Sequence, residues 1–427
     1  MEINEQAEKL NNQIRENNKH LYEMLSEKGK AIFYPAKGIL AQSANAKGKK
    51  INATIGIALE EDKSPMRLNS IARLVNLEAK QIFPYAPSFG NDSLRVKWKE
   101  LTFKKNPSLI GKKISLPIVT SALTHGLSIA AYMFVDKGDE IILPDLFWGN
   151  YKLILTHGYD AKLVTFETFK ENKFNVRGLK EKLKGRGKKI LLLNFPNNPT
   201  GYTPTYEEVK EIVSAIKESA DKGNNIVVIV DDAYFGLVYK AGIFTESIFA
   251  KICDLHERVL AIKVDGATKE EYVWGLRVGF LTYGIKGMNN DLCFALEQKT
   301  SGAVRGTISN VSNLSQNLIL EAFNSESYDK EKREKYDVLK ARADIVEKII
   351  NEHPEYKEEF EALPFNSGYF MCIKLKKDAE KVRQILLNKF DTGIIAMKDI
   401  IRIAFSSVSK DLLAELFDNI YKACKEV

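Results

Sequence analysis

Four apolar runs punctuate the middle of the chain: Glu140-Ile141-Ile142-Leu143, Lys189-Ile190-Leu191-Leu192-Leu193, Ile226-Val227-Val228-Ile229-Val230, and Val259 to Val264. Runs of this length are what parallel strands look like when helices cover both faces of a sheet. Between the second and third the period becomes helical. Thr205 and Glu208 stand at capping-box spacing after Thr203-Pro204, and Val209, Ile212, Val213 and Ile216 follow on one face. The pattern predicts a βαβ unit in an α/β domain, with a mostly parallel mixed sheet sandwiched by helices.

The two ends read differently. Ile3, Ala7, Leu10, Ile14, Leu21 and Leu25 recur at steps of three, four and seven, the face of an amphipathic helix. A connecting arm from Ala31 to Lys50 carries Pro35, Gly38 and Gly48, and Ile51 to Gly56 reads as a short strand. Beyond Glu321, the mixed charges of Tyr328 to Glu347 suit a long solvated helix. Gly368 to Ile373 and Ile400 to Phe405 then read as strands, and Asp411 to Cys424 as a closing helix. The expected organisation is an N-terminal helix and arm over 1–64 that joins a small domain, a large domain over 65–330, and a smaller α+β domain over 331–427.

Composition narrows the chemistry. With 63 Lys and Arg against 56 Asp and Glu, the net charge of +7 favours anionic ligands without implying nucleic acid. The basic stretch Lys180 to Lys189 lacks the interleaved aromatics of a nucleic-acid groove. Cys253, Cys293, Cys372 and Cys424 are scattered and form no metal-ligand spacing, which predicts a reduced, cytoplasmic protein with no metal. Met1, Glu2, Asn4 and Glu5 open no apolar signal core, and no membrane span is expected. Neither common glycine-rich phosphate loop is present: Gly185-Arg186-Gly187 precedes its strand and lacks a third glycine.

What the strand ends carry is more informative. Asn194-Phe195-Pro196-Asn197-Asn198-Pro199-Thr200-Gly201 follows the second run, and Asp231-Asp232-Ala233-Tyr234 follows the third. Asp265 to Phe280 follows the fourth and contains Lys269 and Arg277; Trp148-Gly149-Asn150-Tyr151 follows the first. Singly these have ordinary readings as a turn, a helix cap, a surface cation and a loop aromatic. Together they offer an amide, a carboxylate with a phenol, a lysine with an arginine, and an aromatic platform. Such a set suits a flat heteroaromatic aldehyde bearing a phosphate.

From about Pro35 to Ala404 the chain resembles the fold type I, class I/II aminotransferases, and within them the aspartate aminotransferase branch. The resemblance implies the fold of that family, pyridoxal 5'-phosphate as cofactor, and a homodimer. It implies Lys269 as the catalytic Schiff-base lysine, Arg277 at the cofactor phosphate, and Asp231 at the pyridine nitrogen. Tyr234 and Asn198 would bond the phenolic oxygen, Trp148 would stack on the ring, and Ala122-Leu123-Thr124 would form the phosphate cup. Arg402, with Gly56 and Asn198, would grip the substrate's α-carboxylate. Tyr85 and Arg305 would be lent by the neighbouring subunit, Tyr85 to the phosphate and Arg305 to a distal carboxylate. Three positions depart from the family pattern. Gly266 and Ala122 replace hydroxyl residues, and Tyr151 replaces a histidine behind Asp231, to which it could still donate a hydrogen bond. The expected activity is transfer of an amino group between an L-amino acid, aspartate, glutamate or aromatic, and a 2-oxo acid. A lyase or decarboxylase using the same cofactor is the alternative, and a non-catalytic cofactor-sensing regulator is a more distant one.

Overall fold

A computed structural model of the chain describes residues 3–17, 30, 39–54, 56–73 and 77–427. The helical reading at the N-terminus is realised over Glu5–Asn17. Leu21 and Leu25, the first part of the arm through Gly38 including Pro35, and Ile55 lie outside the described residues.

The large sheet has seven strands: β1 (Ile118–Thr120), β2 (Glu140–Pro144), β3 (Lys162–Phe166), β4 (Lys188–Asn194), β5 (Asn225–Asp231), β6 (Val259–Gly266) and β7 (Gly279–Gly284). Their spatial order is β1-β7-β6-β5-β4-β2-β3. The pairs of β2 with β3, β2 with β4, β4 with β5 and β5 with β6 are parallel, whereas β7 runs antiparallel to both β6 and β1. The apolar runs follow from burial on two sides. Along β4, Ile190 and Leu192 enter one core while Leu191 and Leu193 enter the other, and β5 divides Val227 and Ile229 from Val228 and Val230 in the same way. Successive side chains point to opposite faces, so a strand covered twice needs an apolar residue at every step. Lys263 breaks the run of β6 yet is buried; it is paired with Asp232 at 3.0 Å and with Asp265.

The helix between β4 and β5, Tyr206–Asp221, opens with the anticipated box. Thr205 Oγ1 accepts from the Glu208 amide at 3.2 Å, and the Glu208 carboxylate accepts from the Thr205 amide at 2.7 Å. Glu208 is itself buried, because it also accepts from Tyr202 Oη and from the Phe174 amide.

Four expectations need correction. The connecting arm is not extended throughout, since Ile39–Asn45 is a helix. The strand read from Ile51 to Gly56 is only Ile51–Asn52, which pairs in parallel with Thr392–Gly393. The strand read from Gly368 begins at Met371, since Gly368 takes φ +72 in the preceding turn. The charged helix, Tyr328–Glu352, is not solvated all round: Leu339, Arg342, Ala343, Val346 and Ile349 form a buried face. Past it, β8 (Phe360–Ala362), β9 (Met371–Leu375), β10 (Ile395–Met397) and β11 (Ile400–Ile403) make an antiparallel sheet in the order β8-β9-β11-β10. The arm is laced to this lobe. Gln42 exchanges side-chain hydrogen bonds with the backbone of Ala396, and Ala404 N donates to Ala53 O at 2.8 Å.

Replacing Thr205 by Ala removes one half of the box and is expected to lower stability by about 1 kcal/mol. The denaturant midpoint measures it; an unchanged midpoint would mean that Glu208 alone holds the turn.

Candidate active site

The carboxyl ends of β4, β5 and β6 open on one cavity of about 770 Å³, where α/β sheets bind ligands. Of the residues singled out from sequence, Gly56, Ala122, Leu123, Thr124, Trp148, Asn198, Asp231, Tyr234, Lys269, Arg277 and Arg402 line it. Tyr85 and Arg305 do not: Tyr85 is 91% exposed, and Arg305 is exposed on the helix Asn290–Ile308.

Asp231 ends β5 as a buried carboxylate. Its Oδ2 accepts from Tyr151 Oη at 2.6 Å, and its Oδ1 accepts from the Ala233 amide at 3.0 Å. Burial pushes its pKa up, while the bond from Tyr151 and the nearby Lys269 pull the other way. Tyr151 therefore supplies the donor that its position suggested, and Trp148 meets it edge-on at 5.6 Å between ring centres.

Lys269 sits on a short turn after β6, with its ammonium 5.1 Å from the centre of the Tyr234 ring. Burial lowers its pKa to about 8; Asp231 opposes that shift and Arg277 adds to it. The turn is clamped from beneath. Glu270 accepts from Lys105 Nζ at 2.7 Å and Lys332 Nζ at 2.9 Å, and Glu271 accepts from Lys332 at 2.8 Å and Tyr328 Oη at 2.7 Å. Both carboxylates are buried. From the small lobe, Tyr369 Oη donates to the carbonyl of Lys269 at 3.1 Å.

Across the cavity lies the N-terminus of a helix, Ala122–Phe134, whose N-cap Ser121 makes no side-chain cap bond. Its first amides and partial positive charge suit an anion, and the exposed Arg277 lines the same cavity. Packing explains the missing hydroxyl at Gly266. A Cβ there would lie 2.7 Å from Gly279 Cα and 2.8 Å from Val278 O, and a Cβ on Gly279 would lie 2.7 Å from the backbone of Ala122. The helix end is thus seated directly on two glycines that pair across β6 and β7. Thr268, which the sequence reading passed over, lines the cavity with a buried Oγ1 that has no partner among the described residues.

Arg402, on β11, is 3% exposed and, among the described residues, pairs with no carboxylate. It donates to Asn198 Oδ1 at 3.3 Å and Thr54 O at 3.1 Å, and stacks 4.3 Å over the Phe370 ring. Its Nε has no hydrogen-bond partner among the described residues. A buried cation held only by neutral groups is a ready receptor for an anion.

The aminotransferase class I and II family matches residues 48–420. The chain belongs to the class I and II aminotransferases. It is 23% identical to the aspartate aminotransferase of Bacillus sp. (strain YM-2), over 83% of this chain and 85% of that one. It is 25% identical to a probable aspartate/prephenate aminotransferase of Aquifex aeolicus, over 80% and 84%. Among solved structures, an aminotransferase from Anaerococcus prevotii superposes with a TM-score of 0.81 at 25% identity, covering 93% of this chain and 98% of that one. A kynurenine aminotransferase from Pyrococcus horikoshii, solved in complex with PMP, superposes at 0.77 with 17% identity, covering 95% and 98%.

This aminotransferase is an enzyme of a class that uses pyridoxal phosphate, and the cavity's donor set fits that group. A weakly basic lysine, a buried carboxylate, an uncapped helix end with an arginine, and the unpartnered Thr268 hydroxyl match an aldehyde, a ring nitrogen and a phosphate. Sequence reading also missed the Glu270–Glu271 clamp. Its signal was two acidic residues directly after the lysine in an otherwise apolar turn, with Tyr272 and Val273 following.

In the cofactor-free protein, acylation of Lys269 by an amine-reactive reagent, followed by peptide mass spectrometry, is expected to titrate with a midpoint near 8. Arg277→Ala removes a neighbouring cation and should move the midpoint upward. A wild-type midpoint at the ordinary lysine value would show that the amine is not desolvated.

Proposed function

We propose that this aminotransferase moves the amino group of an acidic or aromatic L-amino acid to a 2-oxo acid, with Lys269 as the catalytic base. The observation that carries the reading is the Lys269 amine: its basicity is lowered to about 8, and it lines the cavity that Asp231 and Arg402 also line. Near neutral pH such an amine exchanges protons readily.

Pyridoxal phosphate, when bound, supplies an electron sink for the charge left at the substrate's Cα. Asp231 would hold the ring nitrogen protonated, its charge kept by the Tyr151 hydrogen bond and the Ala233 amide. Tyr234 and Asn198 would bond the phenolic oxygen, and Trp148 would cover a ring face. The amides of Ala122, Leu123 and Thr124, with Arg277 and Thr268, would hold the phosphate. Arg402, with Asn198 and Gly56 beside it, would fix the α-carboxylate, so the Cα proton faces Lys269. Neutral Lys269 then removes that proton.

The working unit is read as a homodimer, in which the exposed Tyr85 and Arg305 serve a neighbouring copy's cavity rather than their own. Residues 65–330 form the cofactor-holding domain, and 331–427 the smaller one. The pairing of Ile51–Asn52 with Thr392–Gly393 supports assigning 1–64 to the smaller domain. Four buried free thiols suit the reducing cytoplasm.

Lys269→Ala is expected to abolish turnover while leaving the fold intact by circular dichroism. Wild-type enzyme given one amino donor and no acceptor should release one oxo acid per bound cofactor and no ammonia. A fully active Lys269→Ala, or steady ammonia release, overturns the assignment.

A further inference from the structure

Among the described residues, the cavity is lined by four cationic side chains, Lys47, Lys269, Arg277 and Arg402, and by a single carboxylate, Asp231. The proposed function employs three of the four. Lys269 does the proton work, Arg277 meets a phosphate and Arg402 an α-carboxylate. Lys47, exposed on the arm, has no assignment, and a cation on the wall of a ligand cavity adds to the field that draws an anion in.

Its neighbours in the arm are already committed. Lys49 pairs with Asp391 at 3.4 Å, Lys50 with Glu415 at 2.7 Å, and Lys63 donates to the carbonyl of Lys50. Among the described residues, Lys47 makes no ion pair and no side-chain hydrogen bond. Its backbone is nevertheless fixed. Lys47 N donates to Ala44 O at 3.1 Å, Lys49 N to Ala46 O at 3.2 Å, and Asn52 Nδ2 to Ala46 O at 3.0 Å. Ala46 is seated against Gly393, where a Cβ would fall 2.2 Å from the Ala46 Cβ, and Gln42 locks the preceding helix, Ile39–Asn45, to Ala396. The fixed backbone presents the side chain to the cavity, and a charge-assisted contact with an anion would offset the entropy lost in ordering its tip.

Arg402 belongs to the same body as Lys47. It donates to Thr54 O in the arm, and Asn52 and Thr54 line the cavity with Lys47 and Gly48. The α-carboxylate receptor and the surplus cation are therefore carried by one rigid assembly of arm and small sheet. We propose that Lys47 recognises the second carboxylate of a dicarboxylic amino donor, making the enzyme selective for acidic substrates from within one subunit. This rests on the transaminase reading above and on Arg402 as the α-carboxylate receptor. Arg305, outside its own cavity, can serve a neighbour's substrate in addition.

The test uses the cofactor-loaded enzyme and two unreactive probes, succinate and propionate, with binding measured by calorimetry. Lys47→Met should weaken succinate by about tenfold or more, the size of a charge-assisted contact, and leave propionate within about twofold. Lys47→Arg should keep most of the succinate affinity. Amino-donor kinetics run in parallel: kcat/KM for aspartate and glutamate should fall in Lys47→Met, while that for phenylalanine should not. Equal loss for both probes, no loss for either, or a loss confined to Arg305→Ala overturns the proposal. If wild type transaminates phenylalanine but neither binds succinate nor accepts acidic donors, the proposal fails while the transaminase reading stands. If no amino acid reacts, the transaminase reading itself has failed.

Discussion

Five carboxylates, Asp231, Asp232, Asp265, Glu270 and Glu271, are buried at or just beyond the ends of β5 and β6, and the surrounding structure is arranged to satisfy them. Removing one partner from a buried charge costs about 3–5 kcal/mol, so each carboxylate compels a specific neighbour to be present. Those neighbours come from across the chain. Lys263, Ser247 and Trp98 answer Asp232 and Asp265, and Lys105, Lys332 and Tyr328 answer Glu270 and Glu271. The helix Tyr328–Glu352 is held to the lysine-bearing turn by charge, and its buried Arg342 reaches Ser406 O in the small lobe and Glu61 in the arm.

The same constraint separates scaffolding from chemistry. Four of the five carboxylates have a lysine partner within their own network. Asp231 alone is met by neutral donors, Tyr151 and the Ala233 amide. A carboxylate satisfied by a phenol keeps its charge without being cancelled, so its field still reaches the cavity and raises the pKa of Lys269 against desolvation. Lys269 ends near 8 because burial and Arg277 outweigh Asp231. Glu270 and Glu271, next to the lysine in the chain, are by contrast fully committed to Lys105 and Lys332.

What could be read from sequence divides along the same line. Strands β2, β4, β5 and β6 were legible because double burial writes apolar residues at consecutive positions, and the residues at their ends could be listed directly. Three strands were not. β1 has three residues, β3 keeps a half-exposed face, and β7 begins and ends in glycine and runs against its neighbours. Gly266 looked like a lost hydroxyl, and only packing shows that the backbone of β7 occupies the space a side chain would need. Lys332 read as one charge among many on a solvated helix, because its partners are 61 and 62 residues away in the chain. Pairing between distant charges leaves no local period, whereas burial on a strand does.

The division of labour between the two lobes follows from where charge is cancelled. On the large sheet, Asp231 and Lys269 line one cavity and are carried by elements that buried ion pairs hold in place, so a ligand there meets a preorganised field and little has to move. On the small lobe, Arg402 is held by the carbonyl of Thr54 and the amide of Asn198, neither of which neutralises it. A carboxylate arriving at Arg402 therefore gains a full ion pair in a buried setting while displacing only weak neutral contacts. Asn198 belongs to the loop after β4, so the Arg402 to Asn198 contact is also a seam between the lobes, joined by Tyr369 Oη on the carbonyl of Lys269. In the proposed function, an amino acid held by its carboxylate at Arg402 would act on the seam that joins Arg402 to the lysine-bearing lobe. Recognition of the substrate and alignment of its Cα with Lys269 would then be one event.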